Sequence, residues 1–375
     1  MPLPIATVFA DLPDPRVETA NKLHALRDIL TIAVCAVICG ADGRGQIAEY
    51  GRRKEAFFRR FLERTNGLPS HDTFARVFAA LDPGAFAARF GRWMAAACEG
   101  TGLIPIAIDG KSARRAKRAN ATGCPCVVSA WATTNRLTLG QAVVPDGASE
   151  VGVIPDLLRA LDLSGAIVTV DAAGCRVGNA GLIRGQEGHS LLAVKGNRPT
   201  LHDAVAAVFD QACGAGFAGV RFDTHATADD RHGRHEERSG TVIYDPVGLP
   251  ADWADAAAVV PVGREREVKG TNTSTAHYDL TSHPGSEAEL AGLIRSHRGI
   301  ENGLHWVLGM AFRGDESRTR GLNAGANLAL LRRVAVSLLK RAEVKGGIQT
   351  RRLMAARDDE FLLQVLRGIP AEHSA

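Results

Sequence analysis

The run Ile104-Pro105-Ile106-Ala107-Ile108-Asp109-Gly110-Lys111 constrains the fold of this chain more than any other stretch. It is an unbroken, β-prone apolar segment that ends in a carboxylate and then turns basic. Unbroken apolar runs of this length read as strands buried on both faces, whereas half-exposed strands alternate. A carboxylate at the end of such a strand is costly to bury unless a proton, a partner or a cation stabilises it. The pattern recurs at Ala166-Ile167-Val168-Thr169-Val170-Asp171-Ala172. Two strands that each end in aspartate point to one shared site.

The segments around these strands set an order. Val127–Thr133 and Leu137–Val144 are predicted strands joined by a turn at Thr134-Asn135. A helix is predicted over 150–161, a strand over 166–171, a helical stretch over 176–186 and a strand over His189–Val194. Lys195-Gly196-Asn197-Arg198-Pro199 closes that last strand, and Thr200 with Asp203 has the spacing of a capping box opening a helix to about Ala212. Three strands, helix, strand, helix, strand, helix is the α/β order of a ribonuclease H-like core. Its first and fourth strands lie side by side, so Asp109 and Asp171 would end on neighbouring strands.

Residues 217–283 read as a β-rich insertion, with strands predicted at Val220–Thr227, Glu237–Tyr244, Ala256–Arg264 and Thr273–Leu280. Helical periodicity returns at Ser286 and continues to the end. Upstream, Leu23, Leu26, Ile29, Leu30, Ala33 and Val37 recur at helical spacing, a helix that buries one face. Gly43 and Gly45 are expected to break it, and a second helix is predicted from Ile47 to Arg64. Pro69 and Ser70 then supply turn and N-cap chemistry for a third, with Phe74, Val77, Phe78 and Leu81 on its apolar face. Two helices joined by a tight turn allow a helix-turn-helix reading or a plain bundle. The resulting division is a helical N-terminal DNA-binding or associated domain at 1–99, the first part of the catalytic domain at 100–216, the β-rich insertion at 217–283 and a helical remainder at 284–375.

Composition narrows the class. Of 375 residues, 45% are hydrophobic and 23% charged, as in ordinary globular chains. A net charge of +4 decides nothing globally. Locally, residues 111–118 and 52–64 are basic, as surfaces that contact phosphate are. The most apolar stretch, Ile29 to Ala41, is too short for a bilayer, which needs about 20 residues. Seven cysteines, with no signal peptide ahead of them, suit a reduced cytoplasmic protein. Cys124-Pro125-Cys126 is too close for a zinc knuckle. There is no phosphate-binding glycine loop and no Gly-x-Ser-x-Gly elbow, which disfavours nucleotide cofactors and acyl transfer.

A third acid completes a site. A helix predicted from Glu287 to about Gly309 carries His297-Arg298-Gly299-Ile300-Glu301-Asn302-Gly303-Leu304-His305-Trp306. Asp109, Asp171 and Glu301 together offer the hard oxygen ligands that Mg²⁺ or Mn²⁺ prefer. Two such ions about 3.5–4 Å apart serve phosphodiester chemistry, one at the attacking oxygen and one at the leaving oxygen. The rival set is His297, Glu301 and His305 along one helix face, without the His-Glu-x-x-His spacing of zinc enzymes.

At this point the chain resembles a known family. Ala107-Ile108-Asp109-Gly110-Lys111, Val128-Ser129-Ala130-Trp131-Ala132, Thr169-Val170-Asp171-Ala172 and Lys195-Gly196-Asn197 resemble the DDE transposases of the H-repeat-associated group of bacterial insertion sequences. So do Gly299-Ile300-Glu301-Asn302, Leu304-His305-Trp306-Val307-Leu308, and Asn327-Leu328-Ala329 with Leu331-Arg332-Arg333. Asp14-Pro15-Arg16 and the helical stretch to Leu81 resemble the N-terminal domain associated with that family. The resemblance implies that Asp109, Asp171 and Glu301 are the catalytic carboxylates, binding two Mg²⁺ ions, with Mn²⁺ as substitute. It also implies cleavage and strand transfer at the element's terminal inverted repeats, insertion into target DNA, a homodimer on paired DNA ends, and a cytoplasmic, nucleoid-associated location with no membrane. Lys111, Arg114, Arg115, Lys195 and Arg318 are expected phosphate contacts. Three positions depart from the family pattern: Gly309 and Gly314 where acids are common, and Arg298 where tryptophan is frequent. The alternatives are a non-catalytic DNA-binding derivative and a metal-dependent nuclease of the same fold.

Overall fold

The computed structural model describes residues 5, 8–19, 22–62, 66–98, 103–112, 125–231, 234–268, 271–319 and 323–368, with the backbone alone described over 227–239 and 262–276. Arg114, Arg115 and Cys124 lie outside the described residues. The chain is mixed α/β and divides into two compact units: Met1–Glu99 with Gly110–Val153 and Ile300–Ala375, and Gly100–Asp109 with Ile154–Gly299. β1 (Ile104–Ser112) contributes its first six residues to the second unit and its last three to the first.

The first unit is built on the helix Leu26–Ile38. Every residue of it except Arg27 is buried, so it is enclosed on all sides rather than along the one face its spacing suggested. A helix that is hydrophobic all round belongs in a core. The helix Ala324–Arg341 packs against it and is itself buried from Asn327 to Leu339 apart from Ala329. The carbonyls left over at the end of Leu26–Ile38 are satisfied by a side chain from far along the chain. Arg352 donates to Val37 O at 2.9 Å and Ile38 O at 3.3 Å, with its guanidinium carbon 4.0 Å from the centroid of the Phe312 ring.

Two expectations in this unit need correction. The second helix begins at Arg44, not Ile47, and takes Gly45 into its first turn. It stops at Arg53, and a single further turn, Glu55–Phe58, ends it well short of Arg64. The backbone at Lys54 has left the helical region, with φ −103° and ψ 23°. The third helix, His71–Ala80, starts where its cap predicts, with Ser70 Oγ accepting from Thr73 N at 3.3 Å. Pro83–Ala95 follows, capped by Asp82. β2 (Cys126–Ala132) and β3 (Leu137–Val144) pair antiparallel, with the register slipping between Ala130 and Trp131. Pro83–Ala95 lies so close to β3 that a Cβ on Gly91 would sit 2.2 Å from Leu139 O.

The second unit is a sheet with helices packed on it. β4 (Ala166–Val170) runs parallel to β1 and to β5 (His189–Val194). The predicted insertion then forms β6 (Phe222–Arg231), β7 (Arg234–Tyr244), β8 (Ala258–Val268) and β9 (Thr271–Thr281). These four are mutually antiparallel, and β9 joins the sheet by pairing antiparallel with β5. The order in this unit is β1-β4-β5-β9-β8-β7-β6. Ile167, Leu191, Val242, Val260, Leu290 and Leu293 belong to one buried cluster, which seats the helix Glu287–His297 on one face of the sheet. The helix after β5 opens at Pro199 with no side-chain cap, so the expected Thr200/Asp203 box does not form. Proline at the first helical position supplies that start, because its fixed φ and missing N–H cost nothing there.

Candidate active site

Strand register brings the two aspartates together. Ile108 pairs with Val170 in the parallel β1–β4 ladder, so Asp109 and Asp171 follow as the next residues on adjacent strands. Parallel neighbours keep their side chains in phase, and residues two apart share a face. Asp171 therefore shares a face with Thr169 and Ile167, the face on which Glu287–His297 lies.

That helix carries Leu290 and Leu293 into the core, and one turn later the same stripe reaches His297. Its Nδ1 lies 2.8 Å from Thr169 Oγ1, which also lies 3.4 Å from Ile106 O on β1. Burial lowers the basicity of His297, while the Asp109 and Asp171 carboxylates and the Thr169 contact pull it back up. The imidazole is thus within electrostatic reach of both aspartates. This group stood in the sequence as part of a rival zinc set. Its spacing to Thr169 is set by how the helix is laid on the sheet, which no local pattern records.

Asp171 is held by its own backbone. Oδ1 accepts from Ala173 N at 3.2 Å and Gly174 N at 3.3 Å, while Oδ2 has no hydrogen-bond partner among the described residues. Gly174 is required for this turn, since a Cβ there would lie 2.3 Å from Val170 Cγ1. The loop after β5 is fastened alongside: Asn197 Nδ2 donates to Ala172 O at 2.7 Å. Lys195, at the start of that loop, is exposed, and its charge acts on Asp279 of β9. Asp279 is buried, its Oδ2 without a hydrogen bond among the described residues, and burial pushes its carboxyl up to about 7. Asn197 belongs to the Lys195-Gly196-Asn197 motif of the resemblance, with no role attached to it there, and Asp279 has the sequence context of an ordinary strand residue.

Glu301 belongs to the first unit, whereas the aspartates belong to the second. The helix predicted from Glu287 to Gly309 is not continuous. It ends at His297, and Glu301–His305 forms a wider π turn before Trp306–Met310. Glu301 stands exposed at the start of that turn. Single π turns inside helices recur at functional sites. Among the described residues, no group of three or more His, Cys, Asp or Glu side chains is placed to hold a metal ion.

The remaining expected phosphate contacts fall in different settings. Lys111 is half-buried and ion-paired with Asp315 at 3.1 Å. The departure at Gly309 makes sense beside this pair. A Cβ there would lie 2.9 Å from Asp315 Oδ2 and 3.6 Å from Lys111 Nζ, so Asp315 occupies the space an acid at 309 would enter. Arg318 is exposed and lines a separate cleft. No helix among the described residues is long and apolar enough to cross a membrane.

Other motif residues act structurally within the first unit. Arg333 donates from Nε to Ser129 Oγ at 2.9 Å, and burial brings the guanidinium down to about 10. Lys340 stands 5.9 Å from the centroid of the Trp131 ring. Asn327 donates from Nδ2 to both Phe78 O and Leu81 O at 2.9 Å. These pairs join the motif around Ser129 to the one around Arg333, and the helix His71–Ala80 to the helix Ala324–Arg341.

Comparison with known proteins places the chain in a family. The family described as DDE_Tnp_1-associated matches residues 6–94, and the Transposase DDE domain matches residues 100–338. An "H repeat-associated putative transposase", YhhI of Escherichia coli (strain K12), is 32% identical over 95% of this chain and 96% of its own length. An "Uncharacterized protein in dhlA 3′region" of Xanthobacter autotrophicus is 40% identical over 73% of this chain and 93% of its own. Among solved structures, the cryo-EM structure of the piggyBac transposase synaptic complex with hairpin DNA overlaps with a TM-score of 0.43 at 10% identity, covering 97% of this chain and 77% of that one. The chain belongs to the DDE transposases of the H-repeat-associated family, enzymes that cleave DNA and transfer its strands.

Proposed function

We propose that the chain is the transposase of a bacterial insertion sequence, with Asp109, Asp171 and Glu301 as its catalytic carboxylates on a ribonuclease H-like core. One observation carries this reading: Asp109 and Asp171 directly follow the last paired residues, Ile108 and Val170, of adjacent parallel strands, beside the face where Thr169 meets His297. The donor set suits Mg²⁺ or Mn²⁺, being carboxylate oxygens with Asp171 Oδ2 free of hydrogen bonds among the described residues. Two bound ions supply activation of an attacking water or 3′-hydroxyl and stabilisation of the leaving oxygen.

The chain's own residues do the positioning. The turn at Ala173-Gly174 fixes one oxygen of Asp171, and Asn197 holds the following loop beside it. Lys195 is exposed at the start of that loop and suits a phosphate of the bound strand. His297 and Thr169 shape the face against which the aspartates act. Residues 1–99 contribute to binding the terminal repeats, and two copies pair the element ends. Replacing Asp109 with Ala leaves DNA binding intact and abolishes cleavage in Mg²⁺. Retained cleavage would overturn the assignment, and cleavage without joining would favour the nuclease reading.

A further inference from the structure

The first unit contains a cleft of about 880 Å³ that the catalytic reading does not use. Its walls come from Asp42 to Ala79 on one side and from Arg313 to Arg332 on the other. These stretches fall in the two different family matches, the associated segment and the DDE domain. Five arginines line it, against two acids.

The charges do not cancel. Arg313 is consumed by Glu316, donating to one carboxylate oxygen from Nε at 3.1 Å and from a terminal nitrogen at 2.6 Å. Arg332 is buried, donates to Asp42 O at 3.0 Å and has the Asp42 carboxylate as its countercharge. That leaves Arg44, Arg76 and Arg318, all exposed and none with an ion-pair partner among the described residues. They come from three separate segments: the first residue of Arg44–Arg53, the middle of His71–Ala80, and the loop after Gly314–Glu316. Between them the lining includes Phe78 and Leu328, both buried, and the two acids of the lining are those that face Arg313 and Arg332. Three guanidinium groups lining one concave surface repel one another, and an anion between them relieves that cost. Arginine forks match phosphate oxygens in pairs.

We infer that this cleft seats the phosphodiester backbone of duplex DNA, held by Arg44 and Arg76 from the associated segment and Arg318 from the DDE domain. The inference rests on the transposase reading and extends it. The associated segment then supplies half of a backbone clamp, and helix His71–Ala80 faces DNA phosphate rather than reading base edges from a major groove. Such a clamp binds without regard to sequence and with a steep dependence on salt.

The test is fluorescence anisotropy of the full chain with a labelled 30-base-pair duplex across a KCl series. The comparison is wild type, the triple variant R44A/R76A/R318A, and the matching triple lysine variant. Each phosphate contact contributes about 0.9 to the slope of log affinity against log salt. The expected result is a slope shallower by about 3 in the alanine triple and near wild type in the lysine triple, equally for flanking and unrelated duplexes. All three residues are exposed, so melting curves should coincide with wild type. An unchanged slope in the alanine triple would overturn the clamp while leaving the catalytic reading intact. So would loss of binding to a poly-glutamate peptide with DNA affinity untouched, which would assign the cleft to an acidic protein segment. Failure of the wild type to bind any duplex would instead sink the transposase reading itself.

Discussion

Asn197 donates its side-chain N–H to the carbonyl of Ala172 at 2.7 Å, tying the loop after β5 to the loop that begins with Asp171. The Lys195-Gly196-Asn197 and Asp171-Ala172 motifs are therefore one structural unit, joined across adjacent parallel strands. Asn197→Ala is expected to lower cleavage by about 10- to 100-fold, the usual effect of removing a group that orients a catalytic ligand. The loss should shrink as Mn²⁺ is raised, with the melting temperature nearly unchanged. A cleavage rate equal to wild type at limiting metal would show that the tether does not position Asp171.

Asn327 holds two carbonyls at the end of helix His71–Ala80 and is itself fully buried. An apolar residue there strands both acceptors. Asn327→Leu should cost about 2–4 kcal/mol, read as a shift in the urea midpoint. A shift below about 0.5 kcal/mol would mean that water or a rearranged turn satisfies those carbonyls.

Asp279 makes stability depend on pH. Burial raises its carboxyl from 3.8 to about 7, with Lys195 opposing. His277 Nε2 lies 3.7 Å away, and burial, Lys195 and Arg298 all lower that imidazole, so it offers little compensating charge. Below 3.8 both folded and unfolded chains carry the proton and nothing is lost. Between 3.8 and about 7 the unfolded chain ionises first, so Asp279 costs progressively more stability as pH rises. Above about 7 the penalty is complete, up to about 4 kcal/mol. Asp279→Asn should therefore stabilise the chain more at pH 8 than at pH 5, compared by thermal melting. An equal gain at both values would show that Asp279 ionises as freely in the folded state as in the unfolded.

Much of the second unit could be read in advance because its strands are unbroken apolar runs. Ala166–Val170 and His189–Val194 lie within a residue of their predicted limits, and the parallel β1–β4 pairing follows from the order of elements. The ends of β6 and β8 were less legible. These strands run on to Arg231 and Val268, past Thr227 and Arg264, because backbone pairing continues where apolar character has stopped. Helix starts divided by mechanism: Ser70 declared its cap, whereas Pro199 opened a helix ahead of a capping pattern at Thr200 that never forms. At the site, the aspartates announced themselves as acids ending apolar strands. Thr169, Asn197 and His297 did not, since their partners are a histidine on a distant helix, a carbonyl one loop away and a hydroxyl on the sheet. The π turn at Glu301 was invisible for a similar reason, because its residues fit an ordinary helix by spacing.

The central claim is that Glu301, exposed at the start of its π turn, completes the catalytic set with Asp109 and Asp171. The most direct measurement is strand transfer in Mn²⁺ with the DNA flanking this reading frame as pre-cut donor, comparing wild type with Glu301→Ala. Wild type is expected to give joined products, and the variant to lose at least about 10³-fold with unchanged affinity for the donor. Joined products from Glu301→Ala at the wild-type rate would contradict that claim.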